Sequence, residues 1–242
     1  MKNIGIIFAG GVGTRMHSKD LPKQFLVVHG RPIIIHTLEL FEKNKDIDMI
    51  VVACVEEWIP YLKDLVYKYR IDKVKSIVKG GETGQLSIYN ALVEAKRIVG
   101  DENAVVLIHD GVRPLIKDQT ITDNINAVRE KGSAITTGIV KETIIVVEDG
   151  EIKQVPNRKN SRVAKAPQSF LLDDILSAHN KALAEGEKNY IDSCTLMNAY
   201  GFNLNIIDGP YENIKITTPD DYYLLKAILD AKEDKQIYGI EE

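Results

Sequence analysis

Short apolar runs alternate along the chain with longer stretches in which apolar positions recur every three or four residues. Residues 4–8 (Ile-Gly-Ile-Ile-Phe) run into glycines and read as a buried parallel strand, because a strand covered on both faces needs no polar alternation. Over residues 32–43, Ile34, Ile35, Leu38 and Phe41 fall at helical spacing, with Pro32 suited to a first turn. Met49 to Cys54 reads as the next strand, 57–70 as a mixed helix, and 75–78 as a short strand leading into Gly80-Gly81. Residues 86–98 form a further helical stretch, 104–109 a buried strand, 118–131 a helix and 133–140 a strand. This repeated order predicts an α/β fold, a mostly parallel sheet with helices on both faces.

The rhythm breaks after residue 141. Residues 143–147 and 151–155 flank Asp149-Gly150, a pair that supplies the positive φ angles of a tight turn, so a β-hairpin is expected. Within an α/β sheet such a hairpin is an edge elaboration or a projecting arm. A helix over 172–186, strands at 203–207 and 214–217, and a helix over 219–232 complete the reading. With no repeat, low-complexity segment or linker, residues 1–242 read as one domain carrying a β-arm at about 142–165.

Composition narrows the function classes. In a chain of 242 residues, 44% hydrophobic and 27% charged, a substantial core is available and disorder is excluded. No apolar run reaches the ~18 residues needed to span a bilayer. The 31 basic and 35 acidic residues, net −4, argue against a nucleic-acid partner, which calls for a basic excess. Cys54 and Cys194 are too far apart for a metal spacing and too few for a disulfide framework. The apolar run at 4–9 is too short for a signal peptide, so reduced thiols in a cytoplasmic protein are expected.

Ligands of open α/β sheets bind beyond the carboxyl ends of the strands, so candidate chemistry is sought there. After the first strand stand Ala9, Gly10, Gly11, Gly13 and Arg15, then Leu21-Pro22-Lys23-Gln24-Phe25. Such glycines let backbone N–H groups approach a polyphosphate, and Arg15 and Lys23 supply charge. No Gly-Lys-Ser/Thr follows, so this is not a P-loop. As a dinucleotide fingerprint it is incomplete, with Met16 in place of the third glycine. Gly80, Gly81, Glu82, Thr83 and Ser87 make a second strand-end loop, readable equally as a helix cap. Asp110 can meet a hydroxyl or a divalent cation and Arg113 a phosphate, while an Asp–Arg pair is also a common local salt bridge. His109 reads as structural. Lys215 lies within the apolar run Asn213-Ile-Lys-Ile-Thr217, where it needs a charged partner, a ligand or a route to solvent. Arg158, Arg162 and Lys165 follow the hairpin, where charges are usually solvated.

In this order the motifs Ala-Gly-Gly-x-Gly-x-Arg-Met, Pro-Lys-Gln-Phe, Gly-Gly-x5-Ser, His-Asp-x-x-Arg-Pro, Pro-Gln-x-Phe and Asn-Ile-Lys-Ile-Thr resemble the cytidylyltransferases of polyol phosphates. The likeness runs from residue 4 to about 230. It implies a Rossmann-like nucleotide-diphospho-sugar transferase fold, and transfer of CMP from CTP to an alditol phosphate with Mg²⁺. It further implies that Arg15, Lys23 and Lys215 are catalytic. CTP would be bound by Ala9, Gly10, Gly11, Gly13, Gly81, Glu82, Ser87 and Asp110, and the alditol phosphate by Asp110, Arg113 and Arg158. Asp110 is the candidate metal ligand, and a homodimer through the arm would let Arg158 reach a partner's site. Gly84, Ile191 and Ala166-Pro167-Gln168 depart from the methylerythritol enzymes, which carry Arg, a substrate-touching Thr and Thr-Pro-Gln in those regions. These departures and the Phe8-Ala9-Gly10-Gly11 start favour ribitol 5-phosphate over methylerythritol 4-phosphate. Competing readings are a nicotinamide oxidoreductase, from Gly11-x-Gly13, and a non-catalytic nucleotide-binding module; a glycosyltransferase lacks its Asp-x-Asp motif here.

Overall fold

In a computed structural model that describes residues 1–10, 16 and 21–238, the chain forms a seven-stranded sheet flanked by helices. Its elements, in chain order, are β1 (Lys2–Ala9), β2 (Val27–Val28), β3 (Arg31–Pro32), α1 (Ile33–Lys43), β4 (Met49–Cys54), α2 (Ile59–Lys68), β5 (Val74–Lys79) and α3 (Gly84–Val99). There follow β6 (Ala104–Asp110), α4 (Asp118–Lys131), β7 (Ser133–Ile139), β8 (Val146–Glu148), β9 (Glu151–Gln154), β10 (Arg162–Leu171), α5 (Leu172–Ala184), α6 (Ser193–Ala199), β11 (Ile206–Asp208) and α7 (Pro219–Tyr238). The main sheet runs β11-β7-β10-β6-β1-β4-β5. β10 is antiparallel to both neighbours, and the other pairings are parallel.

The apolar strands are buried on both faces, and their period of two divides them between two cores. Ile7, Val52, Cys54, Val105 and Leu107 face α1, α2 and α4, where Leu38, Leu62 and Ile125 cover them. Ile4, Ile6, Val51, Ala53, Val106 and Ile108 face α3, α5 and α6, against Leu92, Ile175 and Leu196. At Gly5 a Cβ would lie 2.9 Å from the Phe41 ring, so the missing side chain admits α1 to the sheet. A third, smaller core of Val28, Ile33, Val112, Leu115, Ile216 and Leu225 seats α7 beyond the end of β6.

Three expectations are corrected. Residues 214–217 join no sheet among the described residues; the Ile216 amide donates to Val112 O at 2.9 Å and the Thr217 amide to Asp221 Oδ2 at 2.8 Å. The expected 203–207 strand is β11, beginning later at Ile206. Between β6 and β7 lies β10, an element the sequence pattern does not announce: Pro167 falls within it, and the pairing register to β7 shifts between Ala164 and Gln168. Its buried polar residues have partners, Ser169 donating to Asn124 Oδ1 at 2.9 Å and Gln168 to Asp192 Oδ2 at 2.9 Å. The expected hairpin is β8–β9, turning at Asp149 (φ 52°) and Gly150 (φ 81°), exposed along both strands.

Candidate active site

The carboxyl ends of β1, β5 and β6 converge, and the local sequence explains how. Gly111 N donates to Phe8 O at 3.0 Å, tying the β6 exit to the β1 exit. Gly80 N donates to Cys54 O at 2.8 Å, which holds the β5 exit against β4. Ser87, in the first turn of α3, accepts from Gly81 N at 3.0 Å and donates to Thr83 O at 2.9 Å. A Cβ on Gly10 would lie 2.8 Å from Ser87 Oγ, and one on Gly81 would lie 2.3 Å from Leu86 Cβ. Gly10 and Gly81 therefore close in on the first turn of α3 around the Ser87 hydroxyl, where neither position has room for a side chain. Glu82 sits exposed at the tip of the second loop. Gly11, Gly13 and Arg15 lie outside the described residues.

Asp110, at the end of β6, is buried and held between two cations. Arg113 Nε is 2.7 Å from its Oδ2, and Lys215 Nζ is 2.6 Å from its Oδ1. Burial pushes the Asp110 carboxyl up, but the charges and hydrogen bonds of Lys215 and Arg113 more than reverse this and hold it at about 2. Lys215 is placed by alternation: Ile214 and Ile216 pack into the α7 core, so the residue between them turns toward the strand ends. Its ammonium lies 5.9 Å from the centre of the Phe8 ring.

The same segment is stitched down beside it. Arg113 Nη1 donates to Asn213 O at 2.9 Å, and Asn213 Nδ2 donates to Ala166 O at 2.6 Å. His109 is fully buried, its Nε2 3.1 Å from Arg113 O, and burial pushes its imidazole down to about 4. That is the structural role expected for it.

Lys23 reaches this end of the sheet by another route. Its neighbour Gln24 donates from Nε2 to Ala9 O at 2.9 Å, and Lys23 is itself buried. Asp221 caps α7 by accepting from Thr217 N and Thr218 N, both at 2.8 Å. Partial burial raises its carboxyl, yet the Thr218 and Thr217 amides, with the Lys23 charge nearby, hold it below the ordinary carboxylate value. Arg158 stands apart, exposed on the arm and donating to Lys141 O at 2.7 Å. Within this chain it is not among the residues around Asp110.

A cavity of about 350 Å³ opens beside Asp110, walled by Phe8, Gln85, Arg113, Lys165, Asp192 and Lys215 among others. Ile191 and Gly84 also line it; Ile191 is 90% exposed, and a side chain on Gly84 would enter open space. Lys165, Gln168 and Asp192 are the site residues the sequence reading passed over. Asp192 precedes α6 and accepts from Thr195 N at 2.8 Å, a helix-start signal visible in Asp192-Ser-Cys-Thr195.

An end-of-sheet site with paired glycine loops and converging cations suits a nucleoside polyphosphate and a second phosphorylated substrate, the class of the nucleotidyltransferases. Comparison with known proteins agrees. The family described as "IspD: 2-C-methyl-D-erythritol 4-phosphate cytidylyltransferase" matches residues 4–231. A ribitol-5-phosphate cytidylyltransferase of Streptococcus agalactiae serotype V is 54% identical, over 99% of this chain and 100% of its own. A 2-C-methyl-D-erythritol 4-phosphate cytidylyltransferase of Clostridium novyi is 38% identical, over 95% and 97%. Among solved structures, 4-diphosphocytidyl-2C-methyl-D-erythritol synthase of Anaerococcus prevotii superposes with a TM-score of 0.81 at 29% identity, covering 95% of this chain and 96% of that one. The chain belongs to the IspD family of cytidylyltransferases, CTP-dependent nucleotidyl-transfer enzymes. No helix among the described residues is long and apolar enough to cross a membrane.

Proposed function

We propose that this enzyme transfers CMP from CTP to ribitol 5-phosphate, giving CDP-ribitol and pyrophosphate. The reaction reading is carried by Asp110 clamped between Arg113 and Lys215 in the wall of a cavity that Phe8, at the end of β1, and Gly84, at the start of α3, also line. The choice of polyol is supported by 54% identity to a ribitol-5-phosphate enzyme against 38% to a methylerythritol one, and by Ile191, which brings no hydroxyl to the cavity.

A phosphate oxygen of the alditol phosphate attacks the α-phosphorus of CTP in line. The new P–O bond forms as the bond to the bridging α–β oxygen breaks, and pyrophosphate leaves with that electron pair. Charge grows on the non-bridging oxygens and the leaving group, so fixed cations stabilise the transition state more than the ground state. Lys215 and Lys23, with Arg15, serve that purpose. Asp110 keeps Lys215 oriented before substrate arrives and faces the hydroxyls of ribose and alditol. Ala9, Gly10, Gly11, Gly13, Gly81, Glu82 and Ser87 enclose the nucleotide, and Arg113 holds the acceptor phosphate.

Both oxygens of Asp110 already bear a cation, and among the described residues no group of three His, Cys, Asp or Glu side chains could hold a metal. These residues do not fit a protein-held Mg²⁺, and the ion enters as part of the substrate, on the phosphates of CTP. Exposed Val146, Val147, Ile152 and Val155 on the arm suit burial against a second copy, a homodimer in which Arg158 reaches the partner's acceptor site. The two unpaired cysteines suit a reducing cytoplasm.

Steady-state comparison of ribitol 5-phosphate with methylerythritol 4-phosphate, at saturating CTP, tests the proposal. The expected preference in kcat/KM is at least ~100-fold for ribitol 5-phosphate. Equal or reversed preference overturns the substrate assignment; no pyrophosphate from any alditol phosphate overturns the reaction.

A further inference from the structure

The cavity beside Asp110 is faced by a third cation that the reaction as described leaves idle, Lys165 on β10. Arg113 and Lys215 share the Asp110 carboxylate, whereas Lys165 forms no ion pair among the described residues. Its ammonium is met by backbone carbonyls, Tyr211 O at 3.1 Å and Pro210 O at 3.5 Å, with the Tyr211 ring centre 5.7 Å away. An ammonium has three donors, and two carbonyls leave one unused. Its stem is threaded across Gly138 of β7, where a Cβ would lie 2.7 Å from Lys165 Cε and 3.3 Å from its Nζ. Burial first, and then the positive charge of Arg113, hold the Lys165 pKa below its ordinary value against the opposing negative charge of Glu212. Arg113 and Lys165 both stand at the wall of one cavity, a site for a multiply charged anion.

We propose that Lys165 is a direct ligand of the acceptor's phosphate group, acting within its own chain alongside Arg113; this rests on the reading of the cavity as the alditol phosphate site. The phosphate takes the third ammonium donor, which the two carbonyls leave unused. The ribitol chain then extends along the cavity toward Asp192 and Ile191.

Lys165→Met keeps the unbranched apolar stem and removes the charge, and Lys165→Arg restores the charge. With each substrate varied at saturating levels of the other, K165M is expected to raise KM for ribitol 5-phosphate ~10–100-fold, the worth of a charge-assisted hydrogen bond. Its kcat and its KM for CTP should stay within about twofold of wild type, and K165R should recover most of the loss. An unchanged KM for ribitol 5-phosphate in K165M overturns the proposal. So does a joint fall in kcat and rise in KM for CTP, the pattern of a lysine that merely braces the 210–216 segment. Wild-type enzyme inert toward ribitol 5-phosphate overturns the substrate assignment instead, a result separate from either.

Discussion

Replacing Asp110 by Asn keeps the size of the side chain and removes the charge at the centre of the site. Asp110 is 5% exposed and accepts from Arg113 at 2.7 Å and Lys215 at 2.6 Å. Burial alone would raise its carboxyl; the two cations instead lower it from 3.8 to about 2. A fall of that size corresponds to ~2–3 kcal/mol favouring the ionised, folded form. Because the Lys215 side chain is 41% exposed and screened by water, the lower end applies, about 2 kcal/mol. The folded value lies below the unfolded one, so this stabilisation is complete above pH 3.8 and disappears as pH falls toward 2.

Asp110→Asn should therefore lower Tm at pH 7 by roughly 4–8 °C for a chain of this length. The gap from wild type should shrink between pH 4 and pH 2. On the proposed mechanism Lys215, released from its partner, would no longer meet the α-phosphate in a fixed position, so kcat should fall ~100-fold. Thermal and urea unfolding at pH 7 and pH 3 read the first effect, and pyrophosphate release reads the second. A variant with wild-type Tm at pH 7 and wild-type turnover would refute the electrostatic argument.

Lys215→Met should cut kcat by ~10²–10³ while the chain still folds, because the flanking Ile214 and Ile216 anchor the segment; normal turnover, measured by pyrophosphate release, removes Lys215 from the chemistry. His179 is 1% exposed with neither ring nitrogen partnered among the described residues, and burial pushes its imidazole down to about 4. The unfolded chain takes up that proton first, so wild-type stability falls as pH drops from 6.5 toward 4. His179→Leu should stabilise the fold by ~1–3 kcal/mol at pH 7, and by more at pH 5; parallel pH–stability curves for the two proteins by urea titration contradict this. On the proposed homodimer, the wild type should run as a dimer in light scattering, and charges at the paired Val147 and Ile152 of the arm (V147D/I152D) should make it monomeric and depress activity; a monomeric wild type refutes the dimer, and a variant dimer of unchanged mass places the interface elsewhere.

The apolar runs and their helical intervals were sufficient to read β1, β4, β6 and α4, because a strand covered on both faces carries its burial in its own composition. Asp149-Gly150 likewise announces its turn, since the requirement for positive φ is local. Asp110, Arg113 and Lys23 were legible as candidates because they follow strands, and Lys215 because a charge within an apolar run calls for a partner. β10 was not. Its Gln168 and Ser169 are tolerable inside a sheet only because Asp192 and Asn124, far away in sequence, complete their hydrogen bonds. The segment at 214–217 carries the apolar pattern of a strand, yet its isoleucines are covered by α7 rather than by sheet neighbours. Lys165 reads as one more solvated charge until β7 lays Gly138 beneath its stem and β6 sets Arg113 at the same cavity. Sequence by itself determined the doubly covered parallel strands, their intervening helices and the residue types that follow them, because burial pattern and turn chemistry are local. Tertiary structure alone decided that Asp110 joins Arg113 to Lys215, since that contact spans 105 positions of chain and exists only once Ile216 is buried beside Val112.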